Sequence, residues 1–275
     1  MTEQSSIDAA NSAFWNEMCG SSAANLIGVS GNDPQSLARF DDWYFEFYPY
    51  LAREIDFATV AGKDVLEVGL GYGSVSQRLA ANGAHYAGLD IAAGPVAGVN
   101  HRLAQAGLAG KAVQGSVLDA PFADESFDVV VAIGCFHHTG NLFRALDEAR
   151  RVLRPGGRAT IMIYNATGYI GWIKYPVRTL TYVRDVMTGN PPPLALDEAG
   201  NRGNYDRDTS GNAAPETVML SKTHFKRVLG QRFSHVEVRR RNAIAHRPFQ
   251  FVPRGVMLAT VGPVLGFDLY ARVMR

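Results

Sequence analysis

Three observations predict an α/β fold built on a mostly parallel sheet. Between residues 63 and 165, short β-prone runs alternate with longer helical ones, the order a parallel sheet requires. The strand-like run Val65-Leu66-Glu67-Val68 passes at once into Gly69-x-Gly71-x-Gly73 and a helical segment. Such a strand–turn–helix unit suits a nucleotide-type ligand at the end of an open sheet. Two later β-prone runs, at 235–241 and 268–273, bring the expected strands to seven, with helices on both faces.

Each segment follows in order. Residues 1–58 form an expected helical lid, rich in aromatics: Phe14, Trp15, Phe40, Trp43, Tyr44, Phe45, Phe47, Tyr48 and Tyr50. At helical spacing such rings serve either a core or a substrate, and Phe14, Trp15, Tyr44 and Tyr48 are the substrate candidates. Residues 59–165 form the ligand-binding core, with strands expected at 64–68, 85–90, 112–116, 128–134 and 158–164. Helices are expected at 74–81, 96–106 and 142–153, and Gly83 stops the first of them. Arg154-Pro155-Gly156-Gly157 breaks the chain before the fifth strand. Residues 166–216 are a loop-rich insertion containing Pro191-Pro192-Pro193, with a helix expected within 169–187. Residues 217–275 return to the sheet through a helix near 217–229, with a short apolar insertion at 243–266. Both insertions are expected over the carboxyl ends of the strands.

Composition narrows the function. A length of 275 residues holds one domain plus an appendage, with a full core. The net charge of +1 supplies no field for nucleic acid. Cys19 and Cys135 are the only cysteines and neither has metal-ligand spacing, so no metal and a reduced, cytoplasmic setting are expected. Residues 1–10 are polar and acidic, without the order of a secretion signal. The apolar stretch 255–267 falls short of the roughly 20 residues a membrane span needs, so no transmembrane segment is expected. Oligomeric state stays open between monomer and homodimer.

A dinucleotide fingerprint would need glycine at 74, where Ser74 stands. The Glu67-x-Gly69-x-Gly71-x-Gly73 form instead resembles motif I of the class I S-adenosylmethionine (AdoMet) methyltransferases. Asp90 lies 19 positions after Gly71, near the spacing at which an acid meets ribose hydroxyls. Gln114-Gly115-Ser116-Val117-Leu118-Asp119-Ala120-Pro121-Phe122 is similar to a segment of the ubiquinone/menaquinone-type, small-molecule branch. Ile133-Gly134-Cys135-Phe136-His137-His138-Thr139 and Arg151-Val152-Leu153-Arg154-Pro155-Gly156-Gly157 resemble two further motifs of that branch. The resemblance covers about residues 60–165 and implies a Rossmann-like, seven-stranded, mostly parallel sheet, with AdoMet as cofactor and S-adenosylhomocysteine as product.

The resemblance also implies roles. Glu67 would receive the ammonium tail, Gly69, Gly71, Tyr72 and Gly73 would admit the ligand, and Asp90 with Ile91 would face the ribose. Ser116 stands where the family has an acid for the adenine amino group; Val117 would supply the next amide, beside Leu118, and Asp119 either compensates or satisfies its turn. Gly134 and Cys135 would wall the cofactor.

His138, then His137, are the general-base candidates, because a histidine near neutrality can take a proton from an attacking hydroxyl or amine. Tyr164, Asn165, Tyr169 and Trp172, just past the fifth strand, are further substrate candidates. Aromatic rings near a sulfonium would stabilise it and exclude water. The basic residues Lys226, Arg227, Arg232, Arg239, Arg240, Arg241 and Arg247 form either a solvated face or an anion site. The expected activity is AdoMet-dependent methyl transfer to O or N of a small molecule in specialised biosynthesis. C-methylation of a quinone or prenylated ring, and AdoMet binding without transfer, are the alternatives.

Overall fold

The computed structural model describes residues 3–17, 21–29, 31–196, 199–244 and 251–275; Cys19 and Arg247 lie outside them. Helices α1 (Glu3–Phe14), α2 (Ser21–Leu26), α3 (Pro34–Phe47) and α4 (Leu51–Ile55) precede the first strand. The alternating core follows as β1 (Asp64–Val68), α5 (Ser74–Ala81), β2 (His85–Asp90), α6 (Ala93–Gln105), β3 (Lys111–Gln114), β4 (Phe127–Ile133), α7 (Leu142–Val152) and β5 (Leu153–Tyr164). The insertion holds α8 (Tyr169–Lys174), α9 (Pro176–Thr188), β6 (Leu194–Ala195) and α10 (Ala199–Arg202). The chain ends in β7 (Val218–Met219), α11 (Lys222–Gly230), β8 (His235–Arg241), α12 (Arg254–Thr260), α13 (Gly262–Leu265) and β9 (Asp268–Met274).

The main sheet has seven strands in the order β3-β2-β1-β4-β5-β9-β8. The five strands β1 to β5 run parallel, and β9 inserts antiparallel between β5 and β8. Central strands are apolar on both faces, since helices cover both. One face joins Val65, Val131, Met162 and Tyr270 to Leu51, Leu79 and Val99 of α4, α5 and α6. The other joins Leu66, Val130, Ile161 and Leu269 to Leu146 of α7 and Phe225 of α11. Winding reverses between β1 and β4, which opens a crevice at their carboxyl ends.

Three boundaries differ from the sequence reading, each for a local reason. β5 begins at Leu153, because Gly156 at φ 77° lets the Arg-Pro-Gly-Gly segment stay beside β4 through a register shift between Phe127 and Val129. The helix expected at 169–187 splits at Tyr175, where Pro176 lacks the N–H that would continue α8. The helix expected from 217 starts at Lys222, capped by Ser221, whose Oγ accepts from the His224 amide at 3.3 Å.

One buried arginine ties the N-terminal helices to the core. Arg102 of α6, 3% exposed, donates to the Tyr72 carbonyl at 2.8 Å, to Gln77 at 2.9 Å and to Asp41 of α3. The glycine turn and α3 are thus braced by the same guanidinium.

Candidate functional site

The turn after β1 is shaped first by the protein's own packing. Gly69 has φ 79°, and a Cβ there would fall 2.6 Å from Cys135 Cβ. Gly73 has φ 79°, and its Cβ would fall 2.9 Å from Val99 Cγ2. Gly71, at φ 49°, faces the crevice between them. Gly73 caps α5 without a side chain, so the helix N-terminus at Ser74 and Val75 opens on the cleft.

Two acids fix this turn. Glu67 is 3% exposed, and its Oε2 accepts from Ser76 Oγ at 2.5 Å and from Tyr86 Oη at 2.7 Å. Burial pushes its carboxyl up to about 7, against the two hydroxyl donors that favour the anion. Asp90 accepts from the Leu70 amide at 2.8 Å on one oxygen and from the Ala92 amide at 2.9 Å on the other. It straps the glycine turn to the end of β2, while burial raises its carboxyl above the usual range.

Along the same cleft, of about 1070 Å³ with its mouth included, lie Ile91, Ser116, Val117, Gly134 and Cys135. Ser116 Oγ accepts from the Leu118 amide at 3.3 Å and caps a 3-10 turn. Leu118 lies outside the cleft lining and packs on the core, and Asp119 is exposed. The Cys135 Sγ donates to the Val68 carbonyl at 3.0 Å, and burial pushes its thiol well up, so it is a wall and not a nucleophile. Phe40 stacks on Tyr72 at 4.1 Å and, with Tyr44, roofs the cleft. Buried acids, an open helix N-terminus, a side-chain-free turn and apolar walls together fit AdoMet.

At the other end of the cleft stands His138. Its Nδ1 lies 2.6 Å from the Glu216 carbonyl, which only accepts, so Nδ1 carries the proton. The lone pair is therefore on Nε2, which has no hydrogen-bond donor of its own and faces Asp206 Oδ2 at 3.5 Å. Asp206 accepts from Tyr164 Oη on both oxygens, at 3.0 and 2.9 Å. Burial raises the Asp206 carboxyl, against the pull of His138 and Tyr164. Trp15 packs on the His138 ring at 4.9 Å, and Asn11 of α1 donates to the His138 carbonyl at 2.7 Å.

The two histidines part company here. His137 is fully buried, its ring nitrogens lack partners, and it sits between the rings of His138 at 4.1 Å and Tyr164 at 4.2 Å. Burial drives its pKa well down, and it does not reach the cleft. His137, the base candidate after His138, is thus held away from the cleft and kept neutral by burial.

Trp15 and Tyr44 line the cleft, while Phe14 packs edge-on to Trp15 at 4.7 Å and Tyr48 against Tyr44 at 5.2 Å. Asn165 is committed to structure, donating to the Gly266 carbonyl at 2.7 Å and accepting from Thr167 at 2.9 Å. Tyr169 stacks on Phe267 at 4.7 Å and donates to the Ile244 carbonyl, and Trp172 is 37% exposed. Four residues of the basic cluster are engaged within the protein. Arg239 and Arg241 pair with the buried Glu54, Arg232 with Asp147, and Arg227 donates to backbone carbonyls. Asp206, Asn11 and Phe40 were not singled out as site residues. Asp206 has no motif around it, and only tertiary folding of the insertion brings it to His138.

The methyltransferase domain family matches residues 66–161. The chain is 35% identical over 187 residues to 27-O-demethylrifamycin SV methyltransferase of Amycolatopsis mediterranei, covering 64% of this chain and 67% of that protein. It is 31% identical over 168 residues to sterol methyltransferase-like 1 of Botryococcus braunii, covering 58% and 43%. It is 38% identical over 104 residues to demethylmenaquinone methyltransferase of Clavibacter sepedonicus, covering 38% and 42%. The chain thus spans about two fifths of the length of these last two relatives. Among solved structures, YcgJ of Bacillus subtilis superimposes with TM-score 0.56 at 18% identity, covering 83% of this chain and 98% of that one. An S-adenosylmethionine dependent methyltransferase of Mesorhizobium loti gives 0.54 at 15%, covering 83% and 97%. These two show the fold.

Proposed function

Since the chain belongs to the class I AdoMet-dependent methyltransferases, we propose that it methylates a hydroxyl oxygen of a small molecule, with His138 as general base. The observation that carries the proposal is the orientation of His138: Nδ1 is held by the Glu216 carbonyl at 2.6 Å, leaving Nε2 as the proton acceptor. AdoMet, when bound, supplies an electrophilic methyl group. The glycine turn and the α5 N-terminus would hold its amino-acid tail with Glu67, Asp90 would face its ribose, and Ser116 and Val117 its adenine.

The chain's own groups do the rest. His138 Nε2 takes the proton of the acceptor hydroxyl as the oxygen attacks. Asp206 steadies the resulting imidazolium, and Tyr164 orients Asp206 by donating to both its oxygens. Trp15, Phe40 and Tyr44 wall the cleft, where they would exclude water from the reacting groups. Two relatives support an oxygen acceptor by name, the rifamycin enzyme and a fatty-acid O-methyltransferase of Mycolicibacterium smegmatis, 35% identical over 133 residues.

The test is transfer of isotopic methyl from labelled AdoMet into a metabolite extract, read by mass spectrometry. A single acceptor should gain one methyl on oxygen, and His138→Ala should slow that transfer about 100-fold or more. Unlabelled extract in the presence of bound AdoMet would make the protein a binder only.

A further inference from the structure

We propose that the outer face of α9, with the exposed residues of α8 that lead into it, is a docking surface for an anionic lipid bilayer.

Ten large apolar side chains are exposed among the described residues, and eight of them lie in the two insertions, 166–216 and 243–266. Single exposed apolar groups are ordinary, but such a concentration marks a surface that meets something other than water. Five of the eight belong to α8 and α9: Trp172, Ile173, Val177, Leu180 and Met187.

Packing within the chain does not account for them. Thr179, Tyr182 and Val186 make the buried face of α9, where Tyr182 and Val186 pack with Ala166 and Met219. Val177, Leu180, Arg184 and Met187 recur at helical spacing and form one stripe on the opposite face. Val177 is 78% exposed, Leu180 61% and Met187 76%. One apolar stripe is enough to hold a helix on its domain, and α9 has a second that faces outward.

Charge selects the partner. Residues 166–184 and 251–267 hold four cations, Lys174, Arg178, Arg184 and Arg254, and no acid. Lys174 and Arg184 are exposed, and the one acid of α9, Asp185, pairs with Arg184 at 2.9 Å. Trp172, close to Lys174 in the chain, is the kind of ring that settles at a lipid headgroup layer. An apolar stripe accompanied by cations fits acyl chains under anionic headgroups. Two copies meeting along the stripe would instead bring Lys174, Arg178 and Arg184 of each together, with one acid from each to offset them.

The surface adjoins the wall of the methyl-transfer site. Lys174 Nζ donates to Asn204 Oδ1 at 2.8 Å, and Asn204 Nδ2 donates to Tyr175 Oη at 3.0 Å. Tyr205 follows, its ring 5.1 Å from that of Tyr164, and Asp206 comes next. The junction of α8 and α9 is therefore tied to the loop that carries Asp206 to His138.

Flotation of the full-length protein with lipid vesicles tests the proposal. One set contains phosphatidylglycerol and phosphatidylcholine in equal parts, the other phosphatidylcholine alone. The mixed vesicles should carry at least about tenfold more protein, and high salt should shrink the difference. Val177→Glu combined with Leu180→Glu should cut binding to the mixed vesicles about tenfold or more. Both side chains are exposed, so that variant should keep the wild-type melting curve by circular dichroism. Lys174→Glu combined with Arg184→Glu should erase the preference for anionic vesicles. No flotation with the mixed vesicles, equal binding to both kinds, or either variant binding as the wild type does would overturn the inference. So would a wild-type dimer in sedimentation that Val177→Glu with Leu180→Glu turns into a monomer, because the stripe would then belong to a second copy. Should that variant misfold, Met187→Glu decides in the same two measurements.

Discussion

Glu67 sets the chemical tone at the residue scale. A carboxylate buried at a strand end and raised to about 7 is poised to ionise when a cation arrives. The ammonium tail of AdoMet would favour the anion and lower the pKa in the complex. Binding then releases a proton, and affinity rises with pH until the free-state value near 7 is passed. Between pH 6 and pH 7.5 the dissociation constant should fall roughly tenfold, as expected for a bound-state pKa about two units lower. Glu67→Gln should flatten the profile. Calorimetry across that window checks it, and a flat wild-type profile would remove Glu67 from the tail site. His138 argues at the same scale, since one carbonyl contact decides which nitrogen can work.

Among the elements, the turn between β1 and α5 makes the strictest demand on sequence. Gly69→Ala would force a Cβ within 2.6 Å of Cys135 Cβ at a positive φ. Overpacking and a left-handed backbone together should cost about 2–5 kcal/mol of folding stability, measurable by urea denaturation. A loss under about 1 kcal/mol would mean that β4's end yields easily. This turn was legible because its residues are contiguous: Glu67 to Gly73 carry strand, acid and glycines in one stretch. The crossovers were legible because apolar periodicity repeats. The insertion was not. Asp206 sits among polar loop residues, and nothing local distinguishes it from Asp208, which only caps its own turn through Asn212. Tyr175-Pro176 hid a helix break inside an apparently continuous pattern. His137 and His138 look equivalent in sequence, both are buried, and only the third dimension sets His138 in the cleft wall and His137 behind it.

For the whole molecule, the winding of the sheet decides where chemistry can occur. The reversal between β1 and β4 leaves a crevice flanked by Glu67, Asp90 and Cys135, each at a strand's carboxyl end. Helices α1 and α3 border it on one side, through Asn11 on the His138 carbonyl and Asp41 on Arg102. The insertion closes it from another, through Asp206 and Glu216. Among the described residues no helix is long and apolar enough to cross a membrane.

That crevice is the centre of the account, and competitive calorimetry tests it most directly. AdoMet should bind with one-to-one stoichiometry and be displaced by S-adenosylhomocysteine, while NAD at the same concentration gives no heat of binding. Binding of NAD together with no binding of AdoMet would contradict it.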